Sequence, residues 1–104
     1  MTTQTPEERK VEEGPCRVRF RIGRLALSRG AMASVPIEDW VIGLSRHIRG
    51  DWGLIDEADR RENESSVDSH FRLLSAYETE DGVKYWIITE ADRSQTTILL
   101  PADY

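Results

Sequence analysis

Residues 70–100 decide the fold of this chain, and they read HFRLLSAYETEDGVKYWIITEADRSQTTILL. Three runs rich in β-branched, aromatic and aliphatic residues alternate with two clusters of turn residues. The first turn contains Asp81-Gly82, a dipeptide typical of β-hairpins, and the second turn spans residues 90–94. The pattern predicts a three-stranded antiparallel meander, with strands over residues 70–78, 83–89 and 95–100.

The middle run predicts a strand inside the sheet. Val83, Tyr85 and Ile87 fall on one of its faces. Trp86 and Ile88 fall on the other. Because both faces are apolar, we expect this strand to be central and covered on both sides.

A period-two alternation upstream of the meander predicts one more strand. Over residues 17–24 arginines alternate with apolar side chains, as in a strand with one buried and one solvated face. The arginines are Arg17, Arg19 and Arg21, and the apolar residues are Val18, Phe20 and Ile22. We expect this strand to present a basic outer face and to pair with an edge of the meander. Leu25 and Leu27 extend it beyond Gly23 through a bend or bulge.

Two helices are predicted between these strands. Ser34 is the expected N-cap of the first, and Pro36 lies in its first turn. The second is expected from Asp56 to about Ser69 and is polar on all sides. The apolar face of the first helix, which ends near Gly50, comprises Ile37, Trp40, Val41, Leu44 and Ile48.

These elements predict an α+β fold. A small antiparallel sheet, made of the N-terminal strand and the meander, packs against the amphipathic helix, and the polar helix lies beside them. Residues 1–14 carry almost nothing to bury, so we expect them to form a disordered tail. Residues 15–104 then form a single α+β domain.

Composition and charge restrict the classes of function. A chain of 104 residues is long enough for one small domain, which excludes most multi-domain enzyme designs. The net charge of −5 disfavours indiscriminate binding to phosphate backbones. The charge is uneven, because residues 15–50 carry +5 and residues 51–104 carry −8. Such a dipolar chain can offer a basic and an acidic surface to different partners.

The single cysteine, Cys16, excludes an intramolecular disulfide and a cysteine-cluster zinc site. The cytoplasm is therefore the expected compartment. No apolar run approaches the roughly 20 residues of a membrane helix, and the first residues do not resemble a secretory signal. We expect no membrane association and no cofactor or bound metal ion.

Two sets of residues give alternative functions. His47 as a general base, with Asp51 or Asp59 holding a metal ion, would form a small hydrolase or nuclease. The same residue types also favour helix ends, where carboxylates and histidines interact with the helix dipole. The ladder of Arg17, Arg19 and Arg21 would contact nucleic-acid phosphates. Alternatively, these arginines pair with the acidic half of the chain.

Four motifs resemble a family of small bacterial proteins found on plasmids, phages and other mobile elements. They are GDWG at residues 50–53, DRREN at 59–63, RLLSAY at 72–77, and WIITEADRS followed by TTILLP within residues 86–101. Members are often described as plasmid-related proteins or, doubtfully, as type I restriction subunits. A chain this short cannot hold a methyltransferase domain, so that activity is not carried over.

The resemblance directs attention to the polar and aromatic residues of those motifs. Residues in loops are better candidates for binding than residues in a core, although the same types also cap helices and close turns. The candidate binding residues are Asp51, Trp52, Asn63, Glu90, Asp92, Arg93 and Ser94. The expected function is a non-enzymatic protein-binding module of a mobile element. Its Gly50 to Asn63 segment and acidic second half would contact an unidentified protein and so interfere with host restriction or CRISPR defence.

Overall fold

The computed structural model describes residues 17–104, and the expected disordered tail over residues 1–14 lies outside this range. Four strands and three helices follow one another, and a short 3₁₀ turn over Pro101–Asp103 completes the described chain. The elements, in chain order, are β1 (Arg24–Leu27), α1 (Arg29–Ser34), α2 (Ile37–Ile48), α3 (Glu57–Ser69), β2 (Leu73–Glu78), β3 (Lys84–Thr89) and β4 (Gln95–Leu99).

The strands form one sheet in the order β1-β4-β3-β2. β2 pairs antiparallel with β3, and β3 pairs antiparallel with β4. β1 lies parallel to β4 at the edge of the sheet. The predicted α+β class is confirmed, but the sheet is mixed and not antiparallel. Two parallel strands cannot be joined by a tight turn and need a longer connection between them. The chain from β1 to β4 provides it, because it includes the three helices as well as β2 and β3.

The predicted N-terminal strand is wrong over residues 17–23, because the strand begins only at Arg24. Its extension past Gly23 to Leu27 and its pairing with an edge of the meander are confirmed. The backbone N–H of Arg19 donates to the Ile48 carbonyl at the end of α2, 2.8 Å away, and not to a strand. Gly23 has a φ of +64° and lies against the backbone of Ser94, where a Cβ would overlap. The residues before this bend therefore follow α2, and pairing with β4 starts after it.

The predicted helices are present as α2 and α3, and a third, α1, precedes them. Ser28 caps α1 by accepting a 3.0 Å hydrogen bond from the Ala31 N–H. Asp56 caps α3 as predicted, because its carboxylate accepts from the Asp59 N–H at 2.8 Å. The expected N-cap at Ser34 is wrong: Ser34 ends α1, and Pro36 occupies the N-cap position of α2 without a side-chain bond.

The main core lies between the sheet and the first two helices. Gly43 on α2 lets the helix approach Tyr85 on β3 so closely that a Cβ there would overlap the tyrosine hydroxyl. That hydroxyl donates to the Asp39 carbonyl on α2, at 2.9 Å. The buried core residues are Ala31, Val35, Tyr77, Tyr85, Ile87 and Ile98.

The outer edge of β2 is covered by the chain that connects α2 to α3. The Leu54 N–H donates to the Ala76 carbonyl at 2.7 Å, and the Ala76 N–H donates to the Trp52 carbonyl at 3.1 Å. Further along the edge, the Asn63 side chain donates to the Leu74 carbonyl and accepts from its N–H, at 2.7 and 3.2 Å. These contacts occupy backbone groups that an open edge would expose to association.

Gly53 is required at this edge for two reasons that can be separated by mutation. Its φ is +79°, and a Cβ there would overlap the Ala76 carbonyl oxygen. Gly82 has a similar φ of +89°, but the nearest atom to its Cβ is 3.7 Å away. We expect Gly82→Ala to lower the free energy of unfolding by about 1–2 kcal/mol through backbone strain alone.

We expect Gly53→Ala to lower it by about 1–3 kcal/mol more, because overlap is added to strain. Urea unfolding of both variants measures the difference. An equal loss of free energy of unfolding in both variants would show that Gly53 does not pack against the Ala76 carbonyl of β2 as closely as described.

Candidate functional site

His47 lies at the centre of a hydrogen-bonded chain inside the protein. It projects from α2, and its side chain has no exposed surface. Its Nδ1 atom lies 2.5 Å from the Ser75 hydroxyl on β2, and its Nε2 atom lies 2.9 Å from the Thr89 hydroxyl on β3. Thr89 in turn contacts the Thr96 hydroxyl on β4 at 2.8 Å, and Thr96 donates to the Ile22 carbonyl at 2.8 Å.

This chain assigns the histidine tautomer. Because the only hydroxyl proton of Thr96 goes to a carbonyl, Thr89 must donate to Thr96. Thr89 then has no proton left for His47, so the Nε2–H of His47 donates to Thr89. A neutral imidazole therefore accepts from Ser75 at Nδ1. All four side chains have hydrogen-bond partners, as buried polar groups require.

Burial keeps His47 neutral. Loss of solvation, together with the smaller effect of the positive charge of Arg93, lowers its pKa from 6.5 to about 3. Two aromatic rings complete the surroundings: Phe20 lies edge-on at 5.2 Å between centroids, and Trp52 lies edge-on at 5.8 Å. Phe20 and Trp52 stack at 6.2 Å. Phe20, which belongs to the segment wrongly predicted as a strand, thus covers the imidazole.

The geometry required for the hydrolase alternative is not present. A general base must reach a substrate, but His47 is buried and both its nitrogens are occupied. Asp51 is bound to Arg46, and Asp59 lies exposed in the first turn of α3. Residues 17–104 contain no group of three or more histidine, cysteine or acidic side chains arranged to hold a metal ion.

Asp51 and Trp52 both have partners within the chain. Arg46 donates to both carboxylate oxygens of Asp51, at 2.8 and 3.1 Å, and this pairing lowers the pKa of Asp51. Trp52 has no exposed surface, and its indole N–H donates to Glu64 at 2.9 Å. Arg19 holds the same carboxylate through two bonds of 3.0 and 2.9 Å.

Arg93 supports the end of α3. It has a φ of 61°, and its guanidinium lies 5.7 Å from the centroid of Phe20. The guanidinium donates to the Ser66 carbonyl in the last turn of α3, at 2.7 Å, and to the Phe71 carbonyl just after the helix, at 2.8 Å. These bonds connect the end of α3 to the turn between β3 and β4. The guanidinium also reaches the carbonyls of Glu90 and Ala91, within its own turn.

The remaining candidates of this turn lie closer to solvent. Asp92 is exposed, and its carboxylate accepts from the Ser94 N–H at 3.0 Å, which closes the turn. Hydrogen bonding by the Ser94 side chain, and then by its N–H, lowers the pKa of Asp92. Glu90 lies 3.5 Å from Arg72. The structure therefore gives each candidate binding residue a contact within the fold. Their role toward a partner stays a prediction.

The arginine ladder is not a continuous basic face. Arg19 is engaged by Glu64, as the alternative of pairing with the acidic half anticipated. Arg17 and Arg21 are exposed, but they lie on an irregular segment and not on a strand. The arrangement expected for phosphate contacts by three arginines is therefore absent from the described chain.

An exposed apolar surface, which the sequence reasoning missed, lies on the first two helices. Met32 on α1 is 70% exposed, and Ile37 on α2 is 67% exposed. Val41, one turn further along α2, is 47% exposed. Beside them lies a groove of about 380 Å³, hereafter the apolar groove, which is lined by Leu27, Met32, Val35, Ile37 and Trp40.

The signal for this surface was the width of the apolar pattern on α2. The apolar face of the predicted helix includes Ile37 and Val41, but both side chains lie in solvent. The buried positions of α2 are Gly43 and His47, one turn apart, and Trp40 and Leu44 pack against the core from the side. Spacings of three and four residues predict which side chains form the apolar stripe of the helix. They do not predict which part of the stripe packs against the sheet.

A second hollow, of about 410 Å³, is formed in part by residues that alternate in the chain with those of the apolar groove. It is hereafter the acidic hollow, lined by Pro36, Glu38, Asp39, Glu80 and Asp81. The first three residues begin α2, and the last two form the β2–β3 turn. None of the four carboxylates forms an ion pair with another of residues 17–104.

Comparison with protein-family models, curated proteins and solved structures gives no match to this chain. Across residues 17–104, the helices are too short and too polar to cross a membrane.

The depressed pKa of His47 predicts a loss of stability in mild acid. Above pH 6.5 the residue is neutral in both the folded and the unfolded chain and contributes no pH dependence. Between pH 6.5 and about 3, only the unfolded chain binds the proton. As the pH decreases below 6.5, the free energy of unfolding should therefore decrease, with a slope that approaches about 1.4 kcal/mol per pH unit.

Urea unfolding from pH 7 to pH 5 measures this slope, in a range where carboxylates contribute little. The exposed His70 has a φ of 61°, which asparagine tolerates, so His70→Asn is the matched control and should retain the slope. A stability that is flat between pH 6.5 and 5 in this variant would contradict a neutral buried His47.

Proposed function

We propose that this protein is a non-enzymatic protein-binding module and that it contacts its partner through the apolar groove. The observation that carries the proposal is the cluster of exposed apolar side chains on α1 and α2, with Met32 and Ile37 each more than 65% exposed. Contiguous exposed apolar surface next to a polar rim is typical of interaction sites, whereas isolated exposed apolar residues are not.

The chemistry of the groove favours a protein partner over a small substrate. All five lining side chains are apolar or aromatic. Small-molecule sites combine an apolar wall with a few converging polar groups that fix the orientation of the ligand. An apolar centre beside a charged rim is instead the arrangement of protein interfaces.

The internal contacts of the motif residues also support this choice of surface. Trp52 and Asn63 are buried, and Asp51 is paired with Arg46. On this proposal, substitutions at these three positions change binding by changing the stability or position of the neighbouring elements. The resemblance to mobile-element proteins favours a partner encoded by the host or by the mobile element. The more specific proposal is that this partner belongs to a restriction or CRISPR defence system.

Photo-crosslinking from defined positions tests the proposal inside the bacterial host. A benzophenone amino acid replaces Met32 in the groove or, as a control, Phe71, which is 62% exposed at the end of α3. We expect one discrete crosslinked protein from position 32 and none from position 71, because only the first position lies in the interface.

The crosslinked protein is then purified and titrated with two charge-introducing variants. Ile37→Glu should weaken binding at least about tenfold, since central interface residues dominate affinity. Phe71→Glu, at a position of similar exposure, should leave binding unchanged. The proposal fails if the partner binds both variants equally, or if position 71 crosslinks as efficiently as position 32.

A further inference from the structure

We infer that the partner presents a basic amphipathic segment, with apolar side chains in the apolar groove and lysine or arginine side chains in the acidic hollow. This inference rests on the proposed function and names the chemistry of its partner. It depends on the position of the acidic hollow beside the groove and on the charges that line it.

The groove and the hollow are two sides of one stretch of chain. Val35, Ile37 and Trp40 line the groove, whereas Pro36 and Glu38 line the hollow. The carboxylates of α2 are therefore close neighbours in the chain of the groove residues, and a ligand that extends from the groove around this stretch meets them. A segment with apolar side chains alone would leave this charged rim unpaired.

The hollow gathers carboxylates from two separate elements. Glu38 and Asp39 come from the first turn of α2, where the helix dipole favours acids. Glu80 and Asp81 come from the β2–β3 turn. The hydrogen bond from the Tyr85 hydroxyl to the Asp39 carbonyl joins β3 to α2 and holds these elements together.

This charge selects among the possible occupants of the groove. A second copy, docked through the same face, would bring two acidic hollows together and add like charges at the interface. Anionic lipid surfaces and nucleic acids would be repelled for the same reason. A segment with several lysines or arginines is instead attracted, and its encounter rate is raised.

Two synthetic peptides that differ only in charge test the inference. Each is a 14-residue amphipathic helix with the same leucine positions, and the polar positions are all lysine in one and all glutamate in the other. The full chain, labelled with ¹⁵N, is titrated with each peptide while amide and indole signals are followed. We expect the lysine peptide alone to shift the signals of Met32, Ile37 and Trp40.

Paired charge reversals separate specific from general attraction. Glu38→Lys with Glu80→Lys removes half of the carboxylates of the hollow and should weaken binding of the lysine peptide at least fivefold. Glu62→Lys with Asp68→Lys makes the same change of net charge on exposed positions of α3 and should change affinity less than twofold. A rise from 50 to 500 mM NaCl should weaken binding, because the contacts are charged.

The outcomes distinguish this inference from the proposed function. If both peptides shift the groove signals equally, or if the two paired variants behave alike, the basic partner is wrong while the groove remains a binding surface. If the chain forms a dimer that buries Met32 and Ile37, or binds neutral lipid vesicles through them more tightly than the lysine peptide, the inference is overturned by that occupant. Crosslinking from position 32 tests the proposed function independently of either peptide.

Discussion

The fold depends on one buried histidine and the hydroxyls that surround it. From α2, His47 reaches Ser75 on β2 and Thr89 on β3, and Thr89 extends the chain to Thr96 on β4. Thr96 then holds the Ile22 carbonyl just before β1. One connected set of bonds therefore fixes the helix, three strands and the N-terminal segment. Loss of any member would leave a buried polar group unsatisfied, at a cost of about 1–3 kcal/mol.

The polar motif residues form a second layer around this centre. Trp52 closes the space beside the imidazole and is held by Glu64, which Arg19 also binds. Asn63 on α3 binds the backbone of Leu74 at the outer edge of β2. Arg93 donates to the Ser66 carbonyl near the end of α3. Since these side chains are engaged internally, the binding surface that we propose lies instead on α1 and α2, where apolar residues are exposed.

Local signals in the sequence were sufficient for part of this fold. The period-two runs and the Asp81-Gly82 turn predicted β2, β3 and β4, and the cap at Asp56 predicted the start of α3. The alternation over residues 17–23 predicted a strand, but the segment is irregular: Phe20 packs against the rings of His47 and Trp52, whereas Val18 is 59% exposed. The short helix α1 buries only Ala31 among its own residues, which leaves no periodicity to detect.

The candidate site was harder to predict, because its contacts are distant in the chain. His47 lies 28 residues from Ser75 and 42 from Thr89, so no spacing rule connects them. Sequence reasoning placed His47 with Asp51 and Asp59 because they are neighbours in the chain. The apolar groove was hidden for a different reason: helical spacing identified the apolar residues of α2 but not the part of the stripe that the sheet covers.

The state of the His47 ring tests the central claim most directly. Nitrogen-15 NMR of the imidazole, recorded on the full chain between pH 7 and pH 5, distinguishes the two neutral tautomers from the charged ring. We predict a neutral ring with its proton on Nε2 throughout this range, because Thr89 can only accept from it and burial lowers the pKa to about 3. A proton on Nδ1, or a ring that becomes charged near pH 6.5, would contradict the account.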